Sequence, residues 1–289
     1  MKWRGARQSS NVENDTGGGG GGGFGRGKLS LGGVAVVIVV GLLFGKSPME
    51  MLSLLSSMNG GGAPSGAPAQ VSAENASNHE FVAAILGETE DVWGAIFKNS
   101  GAQYEQPHLV LFAGGVRTAC GGATSASGPF YCPADHKVYL DTSFFEEMKS
   151  KLGGGGEFAQ AYVIAHEVGH HVQNLTGIAA KVAKARQAGE RVEGDNGLSV
   201  RQELQADCYA GLWASAAQQR HHWLEAGDID QALATATAIG DDRLQKQARG
   251  EVVPDAFTHG TAEQRVRWFK KGFEEGTVRS CDTFAVAAP

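Results

Sequence analysis

Ala165-His166-Glu167-Val168-Gly169-His170-His171 is the stretch on which the fold and the chemistry of this chain turn. Tyr162-Val-Ile-Ala before it and Val172-Gln173-Asn174-Leu175 after it extend an apolar, helix-forming pattern from Glu157 to Leu175, with Gly177 as the stop. H-E-x-x-H on a helix sets two histidines one turn apart on one face, where both imidazoles can reach a single Zn²⁺. The glutamate between them projects beside the metal, placed to take a proton from a water held there. His166 and His170 are therefore candidate ligands and Glu167 a candidate general base.

Catalytic zinc takes three protein ligands and keeps a position open. The third candidate is Glu203, in Glu203-Leu-Gln-Ala-Asp207, which begins 33 residues beyond His170. Ser199 and Gln202 form a capping-box pattern, predicting a helix that opens at Ser199 and runs to about Gln219. Glu203 and Asp207, four apart, lie on one face of it. If that face meets the H-E-x-x-H helix, Glu203 completes a His₂Glu site. Asp207 then accepts from the distal ring nitrogen of a ligand, assigned here to His166. Ala206 and Gly211 leave room for close helix packing.

The remaining pattern is α+β and helix-rich with a small sheet. Phe81, Ile85, Leu86, Trp93, Ile96 and Phe97 recur at helical spacing, while Leu109–Phe112 and Val138–Leu140 read as short strands. Asp228 and Asp230 open a short helix. Thr261 with Gln264 is a second capping box, and its helix ends near Gly276. Cys120 and Cys132 sit 12 apart in a Gly- and Ser-rich stretch, close enough for a disulfide, which would leave Cys208 and Cys281 for each other. Four cysteines allow three connectivities, and four free thiols is the alternative. No C-x-x-C spacing suggests a structural zinc site.

The first 78 residues read differently. Of 42 glycines, Gly17–Gly23 form an unbroken run. The formal charge of −6 argues against a nucleic-acid partner. Residues 1–28 nevertheless carry Lys2, Arg4, Arg7, Arg26 and Lys28 against Glu13 and Asp15, a basic composition that predicts a disordered cytoplasmic tail. Residues 29–45 are uncharged and, as a helix, roughly 25 Å long, which predicts an uncleaved transmembrane signal anchor. Residues 46–78 have the composition of a flexible linker. Residues 79–289 then form one catalytic domain. The charge asymmetry places the N-terminus in the cytoplasm and that domain outside a cell inner membrane.

These segments together resemble a known family. His166-Glu-Val-Gly-His170 followed by Glu203-x-x-x-Asp207 is similar to the gluzincin arrangement of thermolysin-like peptidases. With Met1-Lys-Trp-Arg-Gly5, Gly128-Pro-Phe-Tyr-Cys-Pro-Ala-Asp135, Tyr162–Gln173, Glu203–Cys208 and Phe257-Thr-His-Gly-Thr261, the chain resembles the bacterial "putative neutral zinc metallopeptidases" of the YpfJ type. The resemblance implies a zincin-like domain, zinc as cofactor and a peptide or protein substrate. Thr258–Arg265 is similar to a histidine-to-arginine element of HtpX-like membrane peptidases, with Gly260 where that element has proline. It makes His259 a candidate oxyanion donor and Arg265 a substrate anchor or brace; Tyr162 and Tyr209 are backup donors whose plainer reading is core packing.

Other chemistry-bearing residues have plainer readings. His171 points about 100° away from the ligand face and packs or faces solvent. His79 lacks a second histidine, His221-His222 reads as surface, and Asp241-Asp242 as a cap for the next helix. The Val138–Leu140 strand offers an edge on which substrate could add as a strand. The reading is thus a membrane-anchored zinc peptidase. Its rivals are an inactive zinc-fold scaffold and a zinc hydrolase of a non-peptide amide.

Overall fold

The computed structural model describes residues 1–15, 73–151 and 156–289. In chain order come β1 (Val12–Asn14), α1 (Ala73–Asn99), β2 (His108–Phe112), a hairpin of β3 (Gly115–Thr118) and β4 (Gly121–Thr124), β5 (Phe130–Cys132) and β6 (Lys137–Asp141). Then follow α2 (Phe144–Lys151), α3 (Glu157–Leu175), α4 (Ile178–Gln187), α5 (Leu198–His221), α6 (Asp228–Ala238), α7 (Asp241–Arg249) and α8 (Ala262–Glu275). This is a helix-rich α+β body with two small sheets, as the sequence pattern predicts.

The larger sheet runs β1-β2-β6-β5, with β1–β2 and β2–β6 parallel and β5–β6 antiparallel. Its two central strands are buried almost end to end, as expected of strands covered on both faces. Leu109, Leu111, Val138 and Leu140 face the helices, while Val110, Phe112 and Tyr139 pack with Val116 and Ala123 of the hairpin. The Cys120–Cys132 disulfide ties that hairpin to β5, and Cys208–Cys281 ties α5 to the C-terminal segment. Of the three possible connectivities, this is the pairing formed. One expectation needs correcting here. The Val138–Leu140 strand is not an edge, because β6 lies between β2 and β5. Among the described residues the outer strands of this sheet are β1 and β5.

α3 and α5 cross closely. A Cβ on Gly169 would stand only 3.1 Å from the Cα of Ala206, so glycine at that point lets the two backbones approach. Gly211 serves a different contact from the one expected. With Gly272 it seats α8 against α5, where neither position has room for a Cβ. The α8 capping box forms as predicted, with Thr261 and Gln264 exchanging side-chain and backbone bonds. The Ser199 box does not. Gly197 caps α5, Ser199 lies inside the helix, and its hydroxyl accepts from Arg186.

The composition of residues 1–28 predicts a disordered tail, and residues 1–15 depart from it. Trp3 is 4% exposed and meets Phe81 edge-on with ring centroids 5.3 Å apart. β1 pairs in register with β2, and Arg7 reaches Glu90 and Asp91 at 2.7 and 2.9 Å. Buried aromatic area, ladder hydrogen bonds and these ion pairs hold a stretch whose composition alone would not fold. Residues 1–15 belong to the same packed body as the helices and sheet. α1 begins at Ala73, inside the predicted linker. The predicted anchor over 29–45, and the linker up to residue 72, lie outside the described residues. Among the described residues no helix is long and apolar enough to cross a membrane.

Candidate metal centre

The close crossing of α3 and α5 turns the H-E-x-x-H face toward the Glu203/Asp207 face. His166 Nε2 and His170 Nε2 lie 3.2 and 3.4 Å from the same Glu203 oxygen, and the three donor atoms fall within 4.8 Å of one another. Tetrahedral zinc with bonds of about 2.0–2.1 Å separates its donors by roughly 3.3–3.5 Å, so the group fits the ion. The rings of His166 and His170 meet at a right angle, centroids 4.8 Å apart, as two imidazoles converging on one point from adjacent turns do.

Each histidine is held from behind. His166 Nδ1 is 2.9 Å from Asp207 Oδ1, the partner assigned from sequence. Asp207 is fully buried and also accepts from the Tyr162 hydroxyl at 2.6 Å and twice from Arg265 at 2.9 Å. Tyr162 is thus a member of the support and not an oxyanion donor. Tyr209 packs edge-on against Trp93 in the core. Arg265, 3% exposed, is the brace and not a substrate anchor. His170 Nδ1 meets Gln173 Oε1 at 2.9 Å, a partner that sequence reasoning missed. Glutamine three residues on from a helical histidine lies on the same face, which is the signal that could have found it.

The electrostatics favour a cation. Burial disfavours charge on His166, yet Asp207 and Glu203 outweigh it and lift its pKa to about 10 in the metal-free site. His170 moves the same way, with Glu203 opposing burial. Burial would raise the carboxylates, but His170 and His259 keep Glu203 well below its ordinary range, while Arg265 and His166 bring Asp207 to about 2. Two ionised carboxylates around two imidazoles favour a cation at this point.

Glu167 is 8% exposed. Its carboxylate engages no hydrogen bond or ion pair among the described residues, although its charge is felt by His170. A carboxylate beside a candidate metal centre, without a partner of its own, suits a proton acceptor. His259 faces Glu203 closely enough to lower its pKa, and its side chain is 38% exposed. What holds His259 is Asp241, also missed from sequence. One oxygen, Oδ2, accepts from the backbone N–H of Thr258, His259 and Gly260 at 2.7, 2.6 and 3.0 Å, and Oδ1 lies 3.5 Å from His259 Nδ1. Asp242 accepts from Ala262. Asp241 thus caps the His259 loop, while Asp242 serves the first N–H of α8.

The match to known proteins accords with this geometry. The family described as "Putative neutral zinc metallopeptidase" matches residues 1–284. The chain belongs to that family. The chain is 48% identical to an uncharacterised Escherichia coli protein, YpfJ, over 98% of its own length and 99% of the relative's. It is 44% identical to an uncharacterised protein of Mycobacterium tuberculosis over 73% of its length and 74% of the relative's. No solved structure matches it. Zinc is the cofactor the family takes, and His166, His170 and Glu203 are the residues present that could hold it.

The other histidines settle into structural places. His171 is completely buried, with Nε2 2.7 Å from the Glu105 carbonyl and Nδ1 3.0 Å from the Tyr131 hydroxyl. Asn174 donates to the same hydroxyl at 3.1 Å. Together they fasten edge strand β5 to α3. His221 pairs with Glu88 at 2.9 Å at the protein surface.

Proposed function

We propose that this chain is a zinc-dependent peptidase in which His166, His170 and Glu203 hold the metal and Glu167 is the general base. The observation that carries the reading is the convergence of both Nε2 atoms on one Glu203 oxygen, with the unpartnered Glu167 carboxylate alongside. Zinc bound there supplies a Lewis acid that polarises a carbonyl and brings a water's pKa to about 7. Glu167 takes the proton of the attacking water and passes it to the leaving amine. His259, oriented by Asp241, donates to the oxygen on which negative charge develops. Asp207, under Arg265 and Tyr162, keeps the His166 proton on Nδ1 so that Nε2 faces the centre.

The substrate is a peptide or protein, which the outer edge of β5, tied by Tyr131 to the ligand helix, can receive as an added strand. The site works in an oxidising compartment outside the cytoplasm, at the membrane through residues 29–45. Two formed disulfides support that placement. Residues 1–15 share the compartment, because they are packed into the same body.

The test is hydrolysis of a degenerate peptide library by the full chain, with and without a zinc chelator, beside the Glu167→Gln protein. Cleavage that the chelator stops, zinc restores and Glu167→Gln lacks is expected. Chelator-insensitive cleavage, or none by zinc-loaded wild type, rejects the reading.

A further inference from the structure

His170 can serve a metal through Nε2 only if its neutral ring carries the proton on Nδ1. His166 is committed to that form by a carboxylate, which can only accept. His170 has an amide, Gln173, which could present either its oxygen or its NH₂ group. Presenting NH₂ would draw the lone pair to Nδ1 and leave the proton on Nε2, aimed at Glu203, and the ring could not ligate. Something must set the polarity of that amide.

Two backbone carbonyls do so. Gln173 Nε2 lies 2.7 Å from the carbonyl of Gln202 and 3.1 Å from Gln205 Oε1. Gln205 Nε2 in turn lies 3.0 Å from the carbonyl of Cys281. A backbone carbonyl has no proton to give, so both contacts fix their amides with nitrogen toward the carbonyl. Gln205 then offers oxygen to Gln173, whose own oxygen turns to His170. Every bond runs in one direction, from the imidazole outward. Gln173 is completely buried and Gln205 is 3% exposed, so water cannot substitute at the joints. The far terminal is itself pinned, because Cys281 is bonded to Cys208, the residue after Asp207. Gln202 directly precedes the ligand Glu203 on α5, so the relay also couples the His170 ring to the helix that carries the third ligand.

We infer that Gln173 and Gln205 are positioning residues that commit His170 to the ligating tautomer, with the Gln202 and Cys281 carbonyls as the fixed ends of the relay. This rests on the metal-centre reading above, and the experiment separates the two. The full chain, with ¹⁵N-labelled histidine, is examined by imidazole NMR in the zinc-free and zinc-loaded states, and zinc affinity is measured by competition with a chromophoric chelator. In the wild type, zinc should move the His170 Nε2 resonance while a slowly exchanging proton stays on Nδ1. Gln173→Met keeps the volume and removes the acceptor. Zinc affinity should fall about 10- to 100-fold, and the His170 Nδ1 proton should exchange fast while that of His166 is unchanged. Gln173→Glu keeps an acceptor and should restore the slow proton. Gln205→Met, which leaves the Gln202 carbonyl in place, should weaken zinc less than Gln173→Met.

If wild-type His170 Nε2 does not respond to zinc, the ligand assignment fails and the relay with it. If it responds, and Gln173→Met binds zinc as tightly as wild type with the slow proton retained, the relay alone is overturned. Should Gln173→Met fail to fold, Gln173→Glu decides: loss of its slow Nδ1 proton in a folded protein rejects the inference.

Discussion

Arg265 closes on Asp207 with two hydrogen bonds of 2.9 Å, and Oδ1 of that carboxylate also receives His166 Nδ1 and the Tyr162 hydroxyl. A buried charge pair of this kind is costly to break from one side, because the survivor is left ionised without a partner. Arg265→Met should destabilise the metal-free protein by about 3–5 kcal/mol in urea unfolding. Arg265→Lys should recover only part of that, since an ammonium cannot reproduce the planar fork. An unchanged midpoint in Arg265→Met would show the brace to be idle. Asp207 also makes the fold acid-sensitive. Its folded pKa of about 2 lies below the ordinary value of about 3.9, so its contribution is complete above pH 4 and lost as the pH falls toward 2.

Zinc must displace the protons that the two imidazoles attract. With the His166 pKa raised to about 10 without metal, binding near pH 7 should release about one proton from that ring, with His170 adding a share. Titration calorimetry in buffers of different ionisation heat reads the number directly. Apparent affinity should climb about tenfold per pH unit between pH 7 and 9. The metal-free protein behaves in the opposite sense, since a raised pKa gives stability that is full below about pH 6.5 and lost as the pH rises toward 10. A pH-independent zinc affinity would contradict the electrostatics of the pocket.

Glu167→Gln should separate base from ligand. It removes the proton acceptor while leaving the three donor atoms in place, so zinc content should be unchanged and kcat should drop by about 10²- to 10⁴-fold. Glu203→Ala should instead lose zinc, with activity returning in part when the metal is in excess. A Glu167→Gln protein that turns over at the wild-type rate with zinc bound would leave the proposed mechanism without its base.

Asp241 and His259 should behave as one unit. His259→Ala is expected to lower kcat by about 10²- to 10³-fold with zinc affinity unaltered, the effect of removing one oxyanion donor. Asp241→Ala frees three consecutive backbone N–H groups and should act in the same direction. The double variant should be no slower than His259→Ala. Additive losses in the two single variants would show that Asp241 does not work through His259.

The candidate ligand helix and the third candidate ligand were legible because such chemistry demands fixed spacings. His166, Glu167 and His170 share one turn, Glu203 and Asp207 one face, and the Thr261 and Gln264 box announces α8. Three residues of β1 carry no periodicity, so nothing local marks them as a strand. They are fixed by partners about a hundred positions away. Asp241 read as a helix cap because acids after glycine usually are caps, and only the fold reveals that the N–H groups it serves come from residues 258–260. Arg265 could be read as a brace or an anchor until its burial against Asp207 decided. The edge strand was misplaced because a single strand pattern says nothing about its neighbours in the sheet. That β5 lies outside β6 follows from the antiparallel return through residues 133–136.

β1 fastens the N-terminal residues to the body that α1 and β2 belong to. Residues 1–15 and the body that starts at Ala73 are packed together, on either side of residues 16–72. A single cut within residues 16–72 should release nothing. The β1–β2 ladder, Trp3 against Phe81 and the Arg7 ion pairs would keep the nicked N-terminal piece associated through gel filtration in native buffer. By the same reasoning a fragment that starts at residue 79 has lost an edge strand and a core tryptophan, and should be poorly soluble until a peptide of residues 1–15 is supplied.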